Sequence, residues 1–592
     1  MAPKPVCMAF GTDDACDIVL AHEIPDYIEP WLDDAIRGTA VIINHNIAFD
    51  MMVLLEHFPQ LADKIWRAYD ADGVDCTYLR QRLYDLGSDT FRPKEKYSLV
   101  ELEKSYFKKD RSEDKGEDAW RYCYHELDGV PLDQWPERAR EYPKDDVLGT
   151  LKLYHLQELL LEKIGYDAPT RFDEARADLA FKLMSAWGMT VDTQETADFY
   201  KETSEFMVAK QRDLMDVGIL QWGGTKKAPK LVKKCKVIQD RIAEIWRSDW
   251  GDLPVTDKGN IQTSAEVVAM CNDPVLDHLK NYELAEKLRN TYLRHLVKSP
   301  IHSTIWTLGA TLRTSSSNPN LQNVVKLGRI QKLFPGRSVR GCFRPRKGKV
   351  FVIADYNSQE MRTFAQACLD MVGYSRLAEE YKRNPDYDPH QAFADERGGT
   401  RQDAKIPNFG LPGGLGVRGL IRYAKGYGVE WEYDQAKFVR DAWFQQWEEA
   451  GEFFQVISDE IGIDNYGRFD INGHVVLGLG YTNGANLQFQ GRAAQSGKRA
   501  AYRIARQCYY DRRSPLFGAR PCNFVHDEFV LEADEGYHHQ VAEMLTTTMV
   551  EAMEEICPDV PSRVEACAST RWVKAAKPVH DDQGRLGVWE PP

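Results

Sequence analysis

The sequence predicts a multidomain protein of the α/β and α+β classes, and three observations lead to this fold class. The chain has 592 residues, and at roughly 150 residues per domain this length allows about four domains. Apolar residues make up 43% and charged residues 28% of the chain, a composition typical of folded globular domains rather than disorder. Short apolar runs and amphipathic helical segments alternate in one part of the chain and form separate blocks in another.

The order of the predicted elements divides the chain. Up to about residue 165 it alternates apolar runs with helical spacing, which is an α/β pattern. The predicted strands are residues 6–11 and 40–43, and the predicted helices are residues 25–36 and 147–163. From residue 171 to 297 the pattern is helical, as over 174–187 and 198–217. Beyond residue 300 strands and helices mix, with no internal repeat.

The charge balance limits the kinds of partner. The chain has 76 Lys and Arg against 90 Asp and Glu, a net charge of −14, which excludes a uniformly basic nucleic-acid coat but not a local basic groove. Residues 226–236 contain six lysines in eleven residues. This run is either a solvated charged face or a phosphate-contacting loop.

The sequence shows no sign of a membrane segment or of a disulfide framework. No run approaches the 18 or so apolar residues that span a bilayer, and residues 1–7 lack the apolar core of a signal peptide. Twelve cysteines are scattered without a C-x-x-C pair, which favours reduced thiols over a zinc site. We therefore expect a cytoplasmic protein.

Two predicted strands each deliver a carboxylate. Residues 349–354 are continuously apolar, as in a strand buried on both faces, and lead into Asp355. Residues 521–525 and 529–531 are two further apolar stretches, and they predict a hairpin with Asp527 at its tip. Each feature alone is weak, because an aspartate at a strand end is common.

A predicted helix between these strands supplies cations. Arg401, Lys405 and Phe409 have i, i+4, i+8 spacing and share one helix face, and Thr400 with Asp403 predicts a capping box at its start. Two cations one turn apart suit a polyphosphate, and the ring suits a base or sugar; the alternative is a solvated face with a core phenylalanine. Two convergent carboxylates and a cationic stripe are the minimum for metal-dependent phosphoryl transfer.

Five segments, in the same order, resemble motifs of the DNA polymerase I family (family A). They are the primer–template segment 311–323, the first carboxylate motif 355–362, the fingers-helix motif 401–410, the template-side motif 486–491 and the second carboxylate motif 525–528. The resemblance implies a right-hand polymerase whose thumb is residues 171–297, whose palm is residues 298–365 and 505–592, and whose fingers are residues 366–504. It also implies template-directed DNA synthesis from deoxynucleoside triphosphates in replication, and we expect a bacteriophage replicative enzyme in the host cytoplasm.

The resemblance also implies roles for single residues. Asp355 and Asp527 would hold two Mg²⁺ ions, for which Mn²⁺ substitutes, with the Tyr356 carbonyl as a further ligand. Glu360 would be the steric gate that selects deoxynucleotides. The residues implied at the nucleotide are Arg401, Lys405 (also catalytic), His390 and Phe409. Those implied at the DNA are Arg313, Gln322, Asn323, Asn486, Gln490 and His526. The implied partners are primer–template DNA, deoxynucleoside triphosphates and other replication proteins, with no membrane, and the chain is expected to be a monomer.

The chain departs from the family pattern at the fingers helix. Many members carry a tyrosine four residues after the fingers phenylalanine, where this chain has Gly413. Pro407 also lies inside the predicted helix, where a proline removes one backbone donor and costs about 3 kcal/mol. Nucleobase preference, including a preference for modified bases, therefore stays open.

Residues 1–165 resemble the RNase H-like 3′–5′ proofreading exonuclease domain of the family. Asn46–Asp50 match its second motif and Tyr142–Asp146 its third, and residues 96–99 match a segment between them. The first motif, Asp-x-Glu on the opening strand, is missing, and we expect that strand to precede Met1. Asp13 and Asp14 are the nearest substitutes, but they follow the predicted strand 6–11. We therefore predict a folded domain with weak or absent exonuclease activity, because of a downstream start or a structural role.

Two other functions remain as alternatives. A single-subunit RNA polymerase shares the carboxylates and the cationic helix, but Glu360 and the exonuclease-like domain argue against it. A catalytically inactive nucleic-acid-binding protein is the other, and the intact Asp355, Asp527, Arg401 and Lys405 argue against that. Primer extension with deoxy- and ribonucleotides separates the three.

Overall fold

The protein is described by a computed structural model that mixes helices and strands throughout. The structure describes residues 2–590 apart from 91–96, 112–115, 117–118, 167–168, 226–227, 248–251, 257 and 326. Lys96, Lys226 and Lys227 of the predicted motifs lie outside the described residues. In the described part, no helix has both the length and the apolar character needed to cross a membrane. All twelve cysteines are free thiols.

The N-terminal part contains two small sheets and seven helices among its described residues. Its elements are β1 (Cys7–Gly11), β2 (Cys16–Leu20), α1 (Ile24–Arg37), β3 (Ile42–Asn44), α2 (Ile47–His57), α3 (Ala62–Asp70), β4 (Val74–Cys76), α4 (Thr77–Gly87), α5 (Leu99–Phe107), α6 (Trp120–Cys123) and α7 (Glu137–Lys163). β1 and β2 pair antiparallel, and β3 and β4 pair parallel. The predicted strand 6–11 and helix 25–36 are confirmed as β1 and α1. The strand predicted at 40–43 begins at Ile42, and α7 begins ten residues before the predicted helix, because residues 137–146 are mostly charged and show no apolar stripe.

The next part is largely helical, as predicted. Its elements are α8 (Pro169–Trp187), α9 (Thr193–Asp216), β5 (Leu220–Thr225), β6 (Ala228–Lys233), α10 (Cys235–Ile245), α11 (Ala265–Met270), α12 (Pro274–Lys287), β7 (Thr304–Trp306), β8 (Ser315–Ser317) and α13 (Leu327–Leu333). Of the two interpretations of residues 226–236, a solvated face or a phosphate-contacting loop, the loop geometry was wrong for the described part. Residues 228–233 form β6, which pairs antiparallel with β5 over its whole length, and α10 follows.

The C-terminal half contains the main sheet and a set of packed helices. Its elements are β9 (Lys349–Tyr356), α14 (Gln359–Val372), α15 (Arg376–Arg383), α16 (Pro389–Arg397), α17 (Arg401–Gly410), α18 (Val417–Gly426), α19 (Tyr433–Gln446), α20 (Glu449–Ile461), β10 (Gly467–Ile471), β11 (His474–Leu479), α21 (Tyr481–Tyr509), β12 (Arg520–Val525), β13 (Glu528–Asp534), α22 (His538–Glu554), β14 (Val564–Ser569), β15 (Val579–His580) and β16 (Leu586–Trp589). The predicted buried strand 349–354, the hairpin around residues 526–528 and the helix 401–410 are all confirmed.

The main sheet has six strands in the order β12-β13-β9-β14-β16-β15. β9 lies inside it and pairs antiparallel with β13 and with β14. Residues 350–354 are buried, as the continuous apolar run predicts. This strand therefore ends at a fixed point between its two neighbours.

One apolar core connects the N-terminal helices with the main sheet. Trp66 of α3, Phe181 of α8, Phe364 of α14 and Phe524 of β12 belong to the same buried cluster. The Phe181 and Phe524 ring centroids are 5.5 Å apart. The N-terminal part is thus packed on the rest of the chain rather than attached by a linker alone.

Candidate active site

The two predicted metal carboxylates lie on adjacent strands. Asp355 is the penultimate residue of β9, where it pairs with Glu528 of β13, and Asp527 belongs to the two-residue turn between β12 and β13. His526, the other turn residue, has a φ of 61°. The backbone N–H of Tyr356 donates to the Asp527 carbonyl over 3.3 Å. The hairpin and the strand end thus bring the two aspartates together, as the sequence predicts.

Both carboxyl groups have a pKa above the ordinary range. Loss of hydration raises the pKa of Asp355 and of Asp527, and the charge of Asp355 raises that of Asp527 further, while the Lys574 ammonium opposes both shifts. Lys574 Nζ lies 4.0 Å from Asp355 Oδ2. Asp355 keeps 39% of its side chain exposed, but its Oδ1 atom is buried and has no hydrogen-bond partner within the described structure. Positive charge near this pair of carboxylates therefore compensates only part of the cost of their burial.

Glu528, next to Asp527 and paired with Asp355 across the strands, is bound to other side chains. Its carboxylate accepts hydrogen bonds from Arg340 at 2.9 Å and from the Trp572 indole at 2.8 Å. Among the described residues, no cluster of three or more His, Cys, Asp or Glu side chains has the arrangement of a metal site. The donor set at the strand ends is therefore two carboxylates with nearby backbone carbonyls.

The cationic helix faces the carboxylates across a cavity. Thr400 and Asp403 form the predicted capping box at the start of α17. Arg401, Lys405 and Phe409 line the same cavity of about 710 Å³ as the two aspartates. Other predicted residues that line this cavity are Arg313, Tyr356, Glu360, His390 and His526.

His390 is buried and held in one orientation. Its Nδ1 accepts from the Asn408 amide over 3.0 Å, since the Asn408 oxygen is taken by the Trp443 indole N–H at 2.8 Å. Burial, aided by the charges of Arg401 and Lys405 and opposed by that of Asp388, lowers the pKa of His390 to about 4. His390 is therefore neutral at pH 7, with its proton on Nε2.

Glu360 stands in the first turn of α14 and pairs with Arg313. Its side chain is 29% exposed. The pair joins the predicted sugar-selecting residue to the predicted primer–template segment, a connection that the sequence spacing does not show. Both side chains line the cavity with Asp355.

Four predicted DNA-contacting residues do not line this cavity: Gln322, Asn323, Asn486 and Gln490. Gln322 is 5% exposed and donates to Thr314 Oγ1 at 2.9 Å and to the Phe524 carbonyl at 3.1 Å. It thus supports two residues of the cavity wall from behind. Asn486 accepts from the Gln490 amide over 3.0 Å on α21.

Gly413 leaves room for the Asn486 amide. A Cβ atom at residue 413 would lie 2.9 Å from Asn486 Oδ1, so a larger residue here would displace that side chain. At Gly414, where φ is +81°, a Cβ would lie 2.8 Å from the Tyr481 ring. Polar and aromatic groups of α21 therefore lie directly against the segment where the family pattern has a tyrosine.

Comparison with known proteins decides the family. The family model described as DNA polymerase family A matches residues 240–574, more than half of the chain. The chain belongs to DNA polymerase family A. The matched range includes Asp355, Arg401 and Asp527, and it ends at Lys574.

Curated relatives of this family A chain include cellular and viral polymerases. DNA polymerase I of Aquifex aeolicus is 29% identical over 344 residues, 55% of each chain. DNA polymerase I of Pseudomonas aeruginosa is 28% identical over 473 residues, 74% of this chain and 48% of the relative. The DNA-directed DNA polymerase of Pseudomonas phage M6 is 27% identical over 247 residues, 36% of each chain. The chain spans about half the length of the cellular relatives.

A solved structure has the same fold. The POL domain of Pol1 from M. smegmatis, in complex with DNA primer-template and dNTP, matches with a TM-score of 0.65 and 20% identity. The match covers 97% of this chain and 96% of that chain. The prediction of a mixed polymerase fold is therefore confirmed for this family A chain.

Two residues at the cavity of the family A chain were not predicted from sequence. Asp388 caps α16 through the His390 N–H at 3.0 Å, and it accepts from Arg401 Nε at 2.5 Å. The Asp388-Pro389 pair is a helix-start signal that indicates the cap but not the ion pair. Lys574 follows β14 far along the chain from Asp355, and no spacing rule connects the two.

The predicted exonuclease residues of the family A chain occupy a second region. Asp50 in α2 accepts from Asn44 Nδ2 at 2.9 Å. Asn46, the other residue of the second exonuclease motif, is the cap residue just before α2, and its φ is 66°. Loss of hydration, with a smaller contribution from the charge of Asp146, raises the pKa of Asp50. The residue nevertheless keeps an exposed face. Tyr142 and Asp146 lie on α7.

Proposed function

We propose that this family A chain carries out template-directed DNA synthesis from deoxynucleoside triphosphates. In this reaction the primer 3′-hydroxyl attacks the α-phosphorus of the nucleotide and diphosphate leaves. One observation carries the proposal: the Asp355–Asp527 pair and the cationic face of α17 line one cavity. That arrangement puts acidic groups for metal ions opposite basic groups for a triphosphate.

Asp355 and Asp527 are the proposed holders of two divalent ions, with the Tyr356 carbonyl as a further ligand. The residues fit such ions, because Asp355 Oδ1 is buried without a partner in the described structure and carboxylate oxygens are the ligands that Mg²⁺ prefers. When bound, two such ions supply activation of the attacking hydroxyl and stabilisation of the leaving oxygen. Asp355 and Asp527 hold the reacting centre at the end of a rigid sheet.

Arg401, Lys405 and His390 are the proposed triphosphate contacts. Arg401 and Lys405 supply positive charge where the diphosphate leaves, and Lys405 is proposed to act in catalysis by stabilising that developing charge. His390 is neutral and donates through Nε2–H, since Asn408 occupies Nδ1. Phe409, whose ring centroid is 5.0 Å from that of His390, offers a face to the sugar and base.

Glu360 is the proposed sugar gate. Its carboxylate lines the cavity beside Tyr356, and its pairing with Arg313 limits how far it can move aside. The 2′-hydroxyl of a ribonucleotide bound beside Tyr356 would clash with the Glu360 carboxylate. This crowding argues against the RNA polymerase alternative, because an RNA polymerase must accept a 2′-hydroxyl.

The proposal includes the division into domains and the partners. All strands of the main sheet come from the two segments assigned to the palm, residues 298–365 and 505–592, which supports that assignment. Primer–template DNA is the proposed partner of Arg313, Gln322, Asn323, Asn486, Gln490 and His526, and the chain is proposed to act as a monomer alongside other replication proteins. The similarity to a polymerase of Pseudomonas phage M6 supports a role in bacteriophage replication.

Primer extension tests the proposal. We expect Mg²⁺- or Mn²⁺-dependent extension with deoxynucleotides and far less with ribonucleotides. Asp355→Ala should abolish extension and leave duplex binding largely intact. Preferred use of ribonucleotides would favour an RNA polymerase, and binding without any extension would favour an inactive nucleic-acid-binding protein.

A further inference from the structure

An arginine lies between two acidic side chains in the N-terminal part. Arg111 follows α5 and is 4% exposed. Its Nη1 donates to Glu103 Oε2 at 3.1 Å, and its Nη2 lies 2.8 Å from Asp146 Oδ1. Glu103 comes from α5 and Asp146 from α7, so the guanidinium joins two helices.

The packing against α7 fixes this position. Glu103 is 1% exposed, and a Cβ atom at Gly149 would lie 2.5 Å from its Oε1. Gly149 is one turn after Asp146, so the Glu103 carboxylate lies directly against the helix that carries Asp146. Arg111 also lies over the Tyr142 ring at 5.5 Å. The Glu103 carboxylate and the Tyr142 ring together hold the guanidinium in place.

Further cations face the same group of acids. Lys109 Nζ lies 3.4 Å from Asp145 and 3.8 Å from Glu103. Arg138 pairs with Asp145 at 2.7 Å. Of the carboxylates in this region, Asp50 is hydrogen bonded to Asn44. The chain thus provides its own positive charge to Glu103, Asp145 and Asp146.

A metal-dependent nuclease needs the opposite arrangement. Two-metal hydrolysis requires carboxylate oxygens that are available to cations and can orient a water. Here one oxygen of Asp146 is already ion-paired with the Arg111 guanidinium, and Asp145 is paired with Lys109 and Arg138. The residues present therefore do not fit the metals that an exonuclease of this family would need.

We infer that Arg111 is the resident cation of this carboxylate cluster and closes it to divalent metal. Arginine suits the position, because it keeps its charge at all working pH values and its planar fork can bond two carboxylates at once. Glu103, which the sequence motifs do not indicate, is the second acid that this cation holds. The inference does not depend on the proposed polymerase function, because metal binding at Asp146 is measured separately from extension.

Manganese binding by the full-length chain tests the inference. The parent is the Asp355→Asn/Asp527→Asn double variant, which removes the carboxylates at the strand ends, and bound Mn²⁺ is counted by electron paramagnetic resonance. In the parent, the amount of bound Mn²⁺ should be the same with and without the additional Asp146→Asn change. Adding Arg111→Met should create one Mn²⁺ site per chain, and Asp146→Asn should remove it again.

Thermal melting and two further variants keep the test decisive. Arg111→Met should lower the melting temperature, since the buried Glu103 loses its hydrogen-bonded counter-charge and, among the described side chains, keeps only Lys109 at 3.8 Å, and Mn²⁺ should raise it again. Arg111→Lys and Arg138→Met, which keep a cation between Glu103 and Asp146, should gain no Mn²⁺ site. Asp146-dependent Mn²⁺ binding by the parent, or no effect of Mn²⁺ on Arg111→Met, overturns the inference.

Discussion

At the scale of single residues, Asp355 and Asp527 show how a fold can prepare a site for positive charge. Both carboxyl groups lie at the end of a buried strand or in the adjoining turn, and loss of hydration raises the pKa of each. Lys574, at 4.0 Å, offsets only part of this. A bound divalent cation would restore the missing charge and favour the ionised form of both groups.

The raised pKa values predict that the metal requirement depends on pH. A carboxyl group with a raised pKa keeps its proton to a higher pH than an ordinary aspartate, so protons compete with Mg²⁺ above the usual carboxyl range near 4. The Mg²⁺ concentration for half-maximal extension should therefore rise as the pH is lowered towards the raised carboxyl pKa values, by up to about tenfold per pH unit for each proton displaced. Mg²⁺ titrations of extension at fixed ionic strength measure this, with metal-free DNA binding as the control. An unchanged Mg²⁺ requirement would contradict the assignment.

Glu360 gives a second residue-scale prediction. Glu360→Ala should raise the incorporation of ribonucleotides relative to deoxynucleotides, because it removes the carboxylate that crowds a 2′-hydroxyl. Glu360→Gln is the matched control, since it keeps the size and weakens only the pairing with Arg313. Competition assays with both nucleotide types on one template give the ratio. An unchanged ratio in Glu360→Ala would show that Glu360 is not the residue that selects the sugar.

At the scale of elements, sequence patterns located rigid pieces well and contacts between distant pieces poorly. The continuous apolar run of β9, the hairpin around Asp527 and the capping box of α17 were all predictable, because each depends on neighbours in sequence. Lys574 near Asp355 and Arg111 near Asp146 were not, because those contacts depend on how separate elements pack. Helix α17 also keeps Pro407 in its interior, which propensity alone argues against.

The lysine-rich hairpin gives the element-scale prediction. Lys230 of β6 and Lys234 after it are exposed, whereas Lys233 pairs with Glu283 and Lys236 with Asp240. If this element binds duplex phosphates, Lys230→Ala/Lys234→Ala should weaken binding. The same change should flatten the log–log salt dependence of binding by about 0.9 for each phosphate that the protein no longer neutralises.

The paired lysines provide the control for that experiment. Lys233→Ala/Lys236→Ala should change the salt slope less, because those ammonium groups are already partly neutralised by acids. Fluorescence anisotropy of a labelled duplex over a salt series gives both slopes. Identical slopes for the wild type and the Lys230→Ala/Lys234→Ala variant would make the cluster a solvated face only.

At the scale of the whole molecule, helix α21 connects the cavity region with the N-terminal part. Asn486 and Gln490 lie near its start, and Tyr502 and Arg506 near its end both donate to Asp70 of α3 over 2.8 Å. The Tyr502 ring also packs 5.8 Å from that of Trp66. The N-terminal part therefore stabilises the helix that also carries predicted template contacts.

This connection predicts a stability effect away from the cavity. Asp70→Asn should lower the melting temperature, at a cost of about 1–2 kcal/mol, because it weakens two hydrogen bonds, one of them to a charged partner. Asp72→Asn is the matched control, since Asp72 is half exposed and, within the described part of the chain, its ion pair is with Arg176. Calorimetry compares the two. A larger loss in Asp72→Asn would mean that Asp70 does not hold the interface.

The central claim is that the strand ends carrying Asp355 and Asp527 are the nucleotidyl-transfer centre. The most direct measurement is single-turnover primer extension by Asp527→Asn, with primer–template affinity measured on the same preparation. Extension should fall by more than about 100-fold while the Kd for DNA changes little. Glu565→Gln is the control, because Glu565 lines the same cavity and has no assigned role. Extension at the wild-type rate by Asp527→Asn, or an equal loss in Glu565→Gln, would contradict the claim.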